Sequence, residues 1–190
     1  MSYYSEHSDE YIDNTINIDM REFYPMILKH IPVGGSILDV GFGSGRDSFY
    51  FKKHGYTVYA IDPCEEFVEH LKKYDLKHVF QKSVLEIDYV DKFDAVWASA
   101  SLLHLNKDEM KEALIKLRNA VKTNGIIFVS FKYGTFEGLD ELGRYVKYIN
   151  DETLLDILSG TNLYFKDKRL VDDKTRKDLK WIDIVLKKEV

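Results

Sequence analysis

Apolar and polar positions fall into blocks whose period changes along this chain. Residues 1–15 are polar, with scattered tyrosines. From 20 to 31, Met20, Phe23, Tyr24, Ile27, Leu28 and Ile31 recur at steps of three and one, one face of a helix. Pro25 inside that face predicts a kink or two short helices. GGSILDVG then reads as a turn and a short buried strand, residues 45–54 as a helix closed by Gly55, and YTVYAID (56–62) as a second strand rich in β-branched and aromatic residues. Pro63 suits the first turn of the next helix, with Glu65 and Glu66 at its N-terminal dipole and Phe67, Val68 and Leu71 on its buried face. HVFQK (78–82) and FDAVWASA (93–100) are the third and fourth strands. Asn106 with Glu109 predicts a capped helix carrying Met110, Ala113, Leu114, Leu117 and Val121 on one face and stopping at Gly125. IIFVSFKY (126–133) is a continuous apolar strand of the kind covered on both faces. A glycine-rich loop (134–143), a helix (151–159) and two strands near 163–170 and 180–187 complete the chain; the short connection makes that last pair antiparallel.

Strand–helix alternation through residue 133 predicts an α/β fold: a doubly wound, Rossmann-like, mostly parallel seven-stranded sheet with helices on both faces and an antiparallel C-terminal strand pair. With 190 residues, the chain reads as a single domain over 1–190, its first 18 residues forming either an N-terminal lid or a flexible tail. In such sheets ligands bind beyond the carboxyl ends of the strands, where the strand order reverses.

The stretch ILDVGFGSGRDSFYF (37–51) ends the first strand at that place. Gly41, Gly43 and Gly45 allow a tight turn and close approach of backbone to a ligand. The spacing is G-x-G-x-G, not the dinucleotide G-x-G-x-x-G, because position 46 is Arg46. Asp39 precedes the loop, and Asp62 ends the second strand, where a carboxylate can accept hydrogen bonds from both hydroxyls of a ribose. There is no G-K-[ST], so the loop is no P-loop.

ILDVGFGSG followed by YAID resembles motifs I and II of class I S-adenosylmethionine-dependent methyltransferases. GSGRDS, WASASLLHL and SFKYG resemble the small bacterial tellurite-resistance-type subset, and the likeness covers roughly residues 10 to 187. Phe42 departs from the family, which usually has a small residue or cysteine there. The resemblance implies S-adenosyl-L-methionine as cofactor and the following roles. Gly41, Gly43 and Gly45 pass its methionine and ribose parts, Asp39 orients the loop or the amino group, and Asp62 holds the ribose diol. Pro63 and Cys64 lie beside the adenine, with Ser83 and Val84 at its edge. Ala98 and Ser99 flank the reacting sulfonium, and an N-terminal segment with Tyr3, Tyr4, Tyr11 and Thr15 folds over the cofactor. The plainer alternatives stay open: two turn acids for Asp39 and Asp62, an ordinary strand-to-loop turn at 83–84, and a frayed terminus.

Methyl transfer needs a general base only when the acceptor carries a proton of high pKa. His104, after the fourth strand, is the candidate, against a histidine that only packs or caps a loop. Phe136, Arg144 and Tyr145, beyond the fifth strand, either read substrate or are solvated loop. No metal site is expected: where catechol-type enzymes place an acid after the fourth strand, this chain has ASAS. Cys64 is the one cysteine and reads as structural. A net charge of −5 and the absence of a basic aromatic tract favour a small-molecule methyl acceptor and no nucleic acid. With a polar N-terminus and no stretch of ~20 apolar residues, neither a membrane nor a signal peptide is expected, and the expected location is cytoplasmic. No feature sets an oligomeric state. Two rivals remain, a non-catalytic S-adenosylmethionine-binding sensor or scaffold and a nucleotide-binding oxidoreductase.

Overall fold

The structure, a computed structural model, describes residues 3–188; residues 1 and 2 of the expected lid or tail lie outside them. In chain order the elements are α1 (Tyr3–Glu6), α2 (Ser8–Thr15), α3 (Pro25–Leu28), β1 (Ser36–Val40), α4 (Arg46–Lys53), β2 (Thr57–Asp62), α5 (Glu65–Lys72), β3 (His78–Gln81), β4 (Phe93–Ser99), α6 (Lys107–Ala120), β5 (Val121–Lys132), β6 (Glu137–Leu139), β7 (Tyr145–Lys147), α7 (Asp151–Leu158), β8 (Leu163–Asp172) and β9 (Lys180–Lys188). Seven strands form one sheet in the order β3-β2-β1-β4-β5-β9-β8. The first five run parallel, and β9 pairs antiparallel with both β5 and β8. The order reverses between β1 and β4, so the crevice opens where their carboxyl ends part.

The two faces follow from strand alternation. Leu38, Ile61, Val96 and Val129 turn towards α6 and α7. Ile37, Val58, Trp97 and Phe128 turn towards α3 and α4. Alternate residues of each strand are thus buried on opposite sides, which explains the long apolar runs in the sequence.

Four expectations need correction. The apolar face over 20–31 is neither a kinked helix nor two short ones: a turn over 21–24 leads into the single short helix α3, which starts at Pro25, a residue with no N–H with which to continue a ladder from residue 21. Its side chains still serve the core, with Phe23, Tyr24 and Ile27 buried. Pro63 precedes the helix rather than joining its first turn, because Cys64 takes the cap position and gives its amide to Asp62. Gly125 is no helix stop. Helix α6 ends at Ala120 and Val121 already pairs with Phe93, after which Ile126 pairs with Ala95. A side chain at 125 would lie 2.4 Å from Val121 Cγ2 and 2.8 Å from the Asp94 carbonyl, so glycine answers a close approach in a bulge. The glycine-rich loop carries the two-stranded hairpin β6–β7, turned by Asp140, which accepts from the amides of Leu142 and Arg144.

Candidate active site

The loop at the tip of β1 is held by the tip of β2. Gly43 N–H donates to Asp62 Oδ2 at 3.0 Å, and Cys64 N–H donates to Oδ1 at 2.9 Å. Burial raises the Asp62 pKa to about 6 against the opposing pull of those two amides. Gly43 and Gly45 both need glycine but for different reasons; their φ angles are 53° and 80°. A Cβ on Gly45 would lie 2.2 Å from Leu71 Cδ1, so that position lets α5 close against the loop. A Cβ on Gly43 would lie 3.0 Å from Tyr11 Cε1, on the crevice side. Beside Gly41 sits Ser101, whose buried hydroxyl has no hydrogen-bond partner among the described residues.

The N-terminal helices close over this loop. The Tyr11 ring packs on Phe67 at 5.2 Å between centroids, and Tyr4 packs edge-on against Tyr11 at 5.3 Å. Tyr4 also reaches the far rim. Its hydroxyl meets His104 Nε2 at 2.7 Å and accepts from Arg144 Nη1 at 3.0 Å. His104 Nδ1 lies 2.8 Å from the Tyr145 carbonyl. A carbonyl only accepts, so Nδ1 carries the hydrogen and Nε2 takes the Tyr4 hydrogen. Burial lowers the His104 pKa, with the Arg144 charge adding to it and the Tyr145 carbonyl opposing.

Between these parts lies a cavity of about 250 Å³. It brings together Tyr11, Gly41, Ser99 and His104 with Arg144, all singled out in the sequence. Residues 38–129 match the family described as methyltransferase domain. That stretch is a little under half of the chain, and over it the chain is similar to methyltransferase domains. A relative described as an uncharacterized methyltransferase of Alkaliphilus oremlandii is 27% identical over 139 residues, which is 63% of this chain and 64% of that protein. The chain therefore spans less than two thirds of that relative's length. Among solved structures, Burkholderia thailandensis 1,6-didemethyltoxoflavin-N1-methyltransferase, with bound 1,6-didemethyltoxoflavin and S-adenosylhomocysteine, superposes at a TM-score of 0.80, 20% identity, over 98% of this chain and 84% of that one. The CcbJ methyltransferase of Streptomyces caelestis superposes at 0.79, 14% identity, over 100% and 99%. The cyclase SpnF does so at 0.76, 16% identity, over 98% and 94%. These likenesses establish the shared fold, and the last shows that the fold hosts other chemistry.

The fold does not draw every expected residue to the cavity. Asp39, Gly43, Gly45, Asp62 and Ala98 lie beneath or beside it, buried. Pro63 is exposed. Ser83 spends its hydroxyl capping the turn Val84–Glu86, accepting from Leu85 N–H at 3.2 Å, and Val84 is buried. Phe42 is buried with Cys64 and Phe67 under the loop and also meets the cavity. Cys64 is buried, and burial raises its pKa to about 11, so it stays a thiol at neutral pH. Phe136 is exposed against Tyr148, and the Tyr145 hydroxyl donates to Glu137 away from the cavity. Among the described residues no cluster of three or more His, Cys, Asp or Glu is placed to hold a metal, and no helix is long and apolar enough to cross a membrane.

Sequence reasoning missed Asp47. This buried carboxylate of α4 accepts from Tyr24 Oη (2.7 Å), Trp97 Nε1 (2.8 Å) and the Arg46 guanidinium (2.8 Å). Burial opposes its ionisation, yet Arg46 and these donors hold its pKa below the usual carboxylate range. That charge and burial push the neighbouring Asp39 up, although Ser48 Oγ donates to it at 2.6 Å. The signal was available: residues 47, 48 and 51 share the buried face of α4. An acid on that face demands partners.

Proposed function

We propose that this chain is an S-adenosylmethionine-dependent methyltransferase that serves a small-molecule acceptor by in-line displacement. The observation that carries the reading is the pinned loop of the matched domain, where Asp62 holds the Gly43 amide at the mouth of the crevice. The residues suit the cofactor. Gly43 offers side-chain-free backbone, Asp62 keeps lone pairs beyond the two amides it binds, and the orphan Ser101 hydroxyl stands ready for a polar partner. On this reading Asp62 accepts the ribose hydroxyls, and Gly41, Gly43 and Gly45 pass the methionine and ribose. Asp39 orients the loop through Ser48 and α4. Pro63, Ser83 and Val84 border the adenine, and Ala98 and Ser99 flank the reacting end. The N-terminal helices act as a lid, with Tyr11 over the ribose side. GSGRDS, WASASLLHL and SFKYG resemble the tellurite-resistance-type subset and leave the acceptor open.

When bound, S-adenosylmethionine supplies a methyl carbon activated by positive sulfur, and its leaving group needs no acid. This chain's residues align the acceptor, exclude water and hold its proton. His104 is the base: the Tyr145 carbonyl fixes Nδ1–H, burial keeps the ring neutral, and Nε2 takes the acceptor proton after the acceptor displaces the Tyr4 hydroxyl. Ala98–Ser101 offers no carboxylate, so the reading includes no divalent metal. Activity should survive a chelator; activity lost with chelator and restored by magnesium overturns that part. A single thiol that stays protonated suits a reducing compartment such as the cytoplasm.

The test has two steps. Thermal shift with S-adenosylmethionine, S-adenosylhomocysteine and NADH should show stabilisation by the first two and none by the third. Release of S-adenosylhomocysteine against a panel of small N-, O- and S-nucleophiles should then find an acceptor. Stabilisation by NADH instead would replace the reading with an oxidoreductase, and cofactor binding with no turnover across the panel would favour a sensor.

A further inference from the structure

Charge in the cavity does not balance. Its acids have partners of their own: Asp47 has Arg46, Asp173 has Arg176, Asp183 has Arg169, and Asp172 has Lys180. Asp140, behind Arg144, takes two of its guanidinium nitrogens. Lys132 is different. It is the last residue of β5, is 6% exposed and lines the cavity. Its ammonium has no ion-pair or hydrogen-bond partner among the described residues; it lies 5.3 Å from the centroid of the Tyr148 ring. A ring face does not neutralise a cation, so the ammonium meets the cavity without a counter-ion.

The position separates this ammonium from the cofactor loop. Ser130 pairs with Ser99 at the tips of β5 and β4, and its hydroxyl accepts from Ala100 N–H. Lys132 lies two residues further along the same face of the strand, about 7 Å on, beyond the end of β4. Around it the cavity has apolar walls, Phe23, Leu103 and Trp181 among them. At about 250 Å³ it is far roomier than an inorganic oxyanion requires. We propose that Lys132 is the anion receptor of the acceptor pocket, and that the acceptor is a small organic carboxylate with an apolar body. Arg144 and Arg176 already answer Asp140 and Asp173, so the carboxylate supplies the one missing negative charge. Consistently, burial and the like charges of Arg176 and Arg144 hold the Lys132 pKa below the usual lysine range, against the opposing pull of Asp140 and Asp173, a penalty that a bound anion relieves. The inference rests on the methyltransferase reading for the word acceptor; the ammonium and its pocket do not depend on it.

Benzoate, its uncharged isostere benzamide, and sulfate are the probes, titrated calorimetrically into the full chain with and without saturating S-adenosylhomocysteine. Wild type should bind benzoate more tightly than benzamide or sulfate. Lys132→Met, which keeps the length and removes the charge, should weaken benzoate about tenfold or more, the scale of one charged hydrogen bond, while Lys132→Arg keeps most of the affinity. Benzamide and S-adenosylhomocysteine should bind Lys132→Met as they bind wild type, and its melting temperature should be unchanged or higher, because an unpaired charge has gone. Equal benzoate affinity in wild type and Lys132→Met, or no benzoate binding at millimolar concentration, overturns the proposal. Sulfate binding as well as benzoate would make the site a bare oxyanion site, and loss of S-adenosylhomocysteine affinity in Lys132→Met would assign the ammonium to the cofactor; either result overturns it too. Failure of the methyltransferase reading looks different: S-adenosylhomocysteine would not bind wild type at all, whatever benzoate does.

Discussion

At the tips of β1 and β2 every buried carboxylate is answered. Asp39 has Ser48, Asp47 has Tyr24, Trp97 and Arg46, and Asp62 has the amides of Gly43 and Cys64. Across the crevice, at the tips of β4 and β5, Lys132 stands unanswered and His104 is held by residues from distant parts of the chain, Tyr4 and Tyr145. The first half is preorganised by local sequence: loop, strand tip and helix start lie within 26 residues of one another, from Asp39 to Cys64. The second half is assembled from the N-terminal helices, the turn after β4, the end of β5 and the hairpin. A finished network suits a fixed ligand, and an unfinished one suits a ligand that completes it.

The sharpest way to break the first half is Asp47→Ala. It leaves Arg46 without its partner and orphans Tyr24 and Trp97, so unfolding in denaturant should show a loss of about 3–5 kcal/mol. A loss below 1 kcal/mol would mean that the network is not what holds the loop's base. In the second half, His104→Ala should lower turnover ~10²–10⁴-fold with cofactor affinity nearly constant, read by single-turnover kinetics beside a binding titration. Because its pKa is lowered, the wild-type rate should be flat at and above pH 6.5 and fall on a limb below it. Equal losses of binding and turnover would make His104 a pocket wall.

Smaller effects sharpen the contrast. Asp62 must be ionised to accept two hydroxyls, and its folded pKa is raised to about 6. The sign follows: cofactor affinity is full above that pH and lost as pH falls through it, about tenfold between pH 7 and 5. Calorimetric affinity that holds constant down to pH 5 would contradict the role. Smallest is Tyr4→Phe. Its hydroxyl donates to Nε2 and favours the neutral ring, so the variant should raise the His104 pKa in an NMR titration. A fall would reverse the proton assignment.

The same contrast explains what could be read beforehand. The parallel sheet, its antiparallel end and the Gly41–Asp62 arrangement all rest on local period and spacing, and they were legible. Asn106 and Glu109 do form their reciprocal cap. Pro25 and Gly125 misled because each admits two local outcomes, kink or start and stop or bulge, and only the packing of Val121 against Phe93 and the Asp94 carbonyl selects one. Lys132 was invisible inside SFKYG: its lack of a partner depends on where Asp140, Asp173 and Asp183 spend their charges, three choices made far along the chain. Tyr4 meeting His104 spans 100 residues and carries no motif.

The central claim is that Asp62 and the glycine loop form an S-adenosylmethionine site. Calorimetric titration of S-adenosylhomocysteine at pH 7.5 into wild type and a folded Asp62→Ala variant tests it most directly. The account predicts one site per chain in wild type and at least about tenfold weaker binding in the variant, the loss expected for charged hydrogen bonds to the ribose. Wild type that does not bind, or a variant that binds equally well, would contradict it.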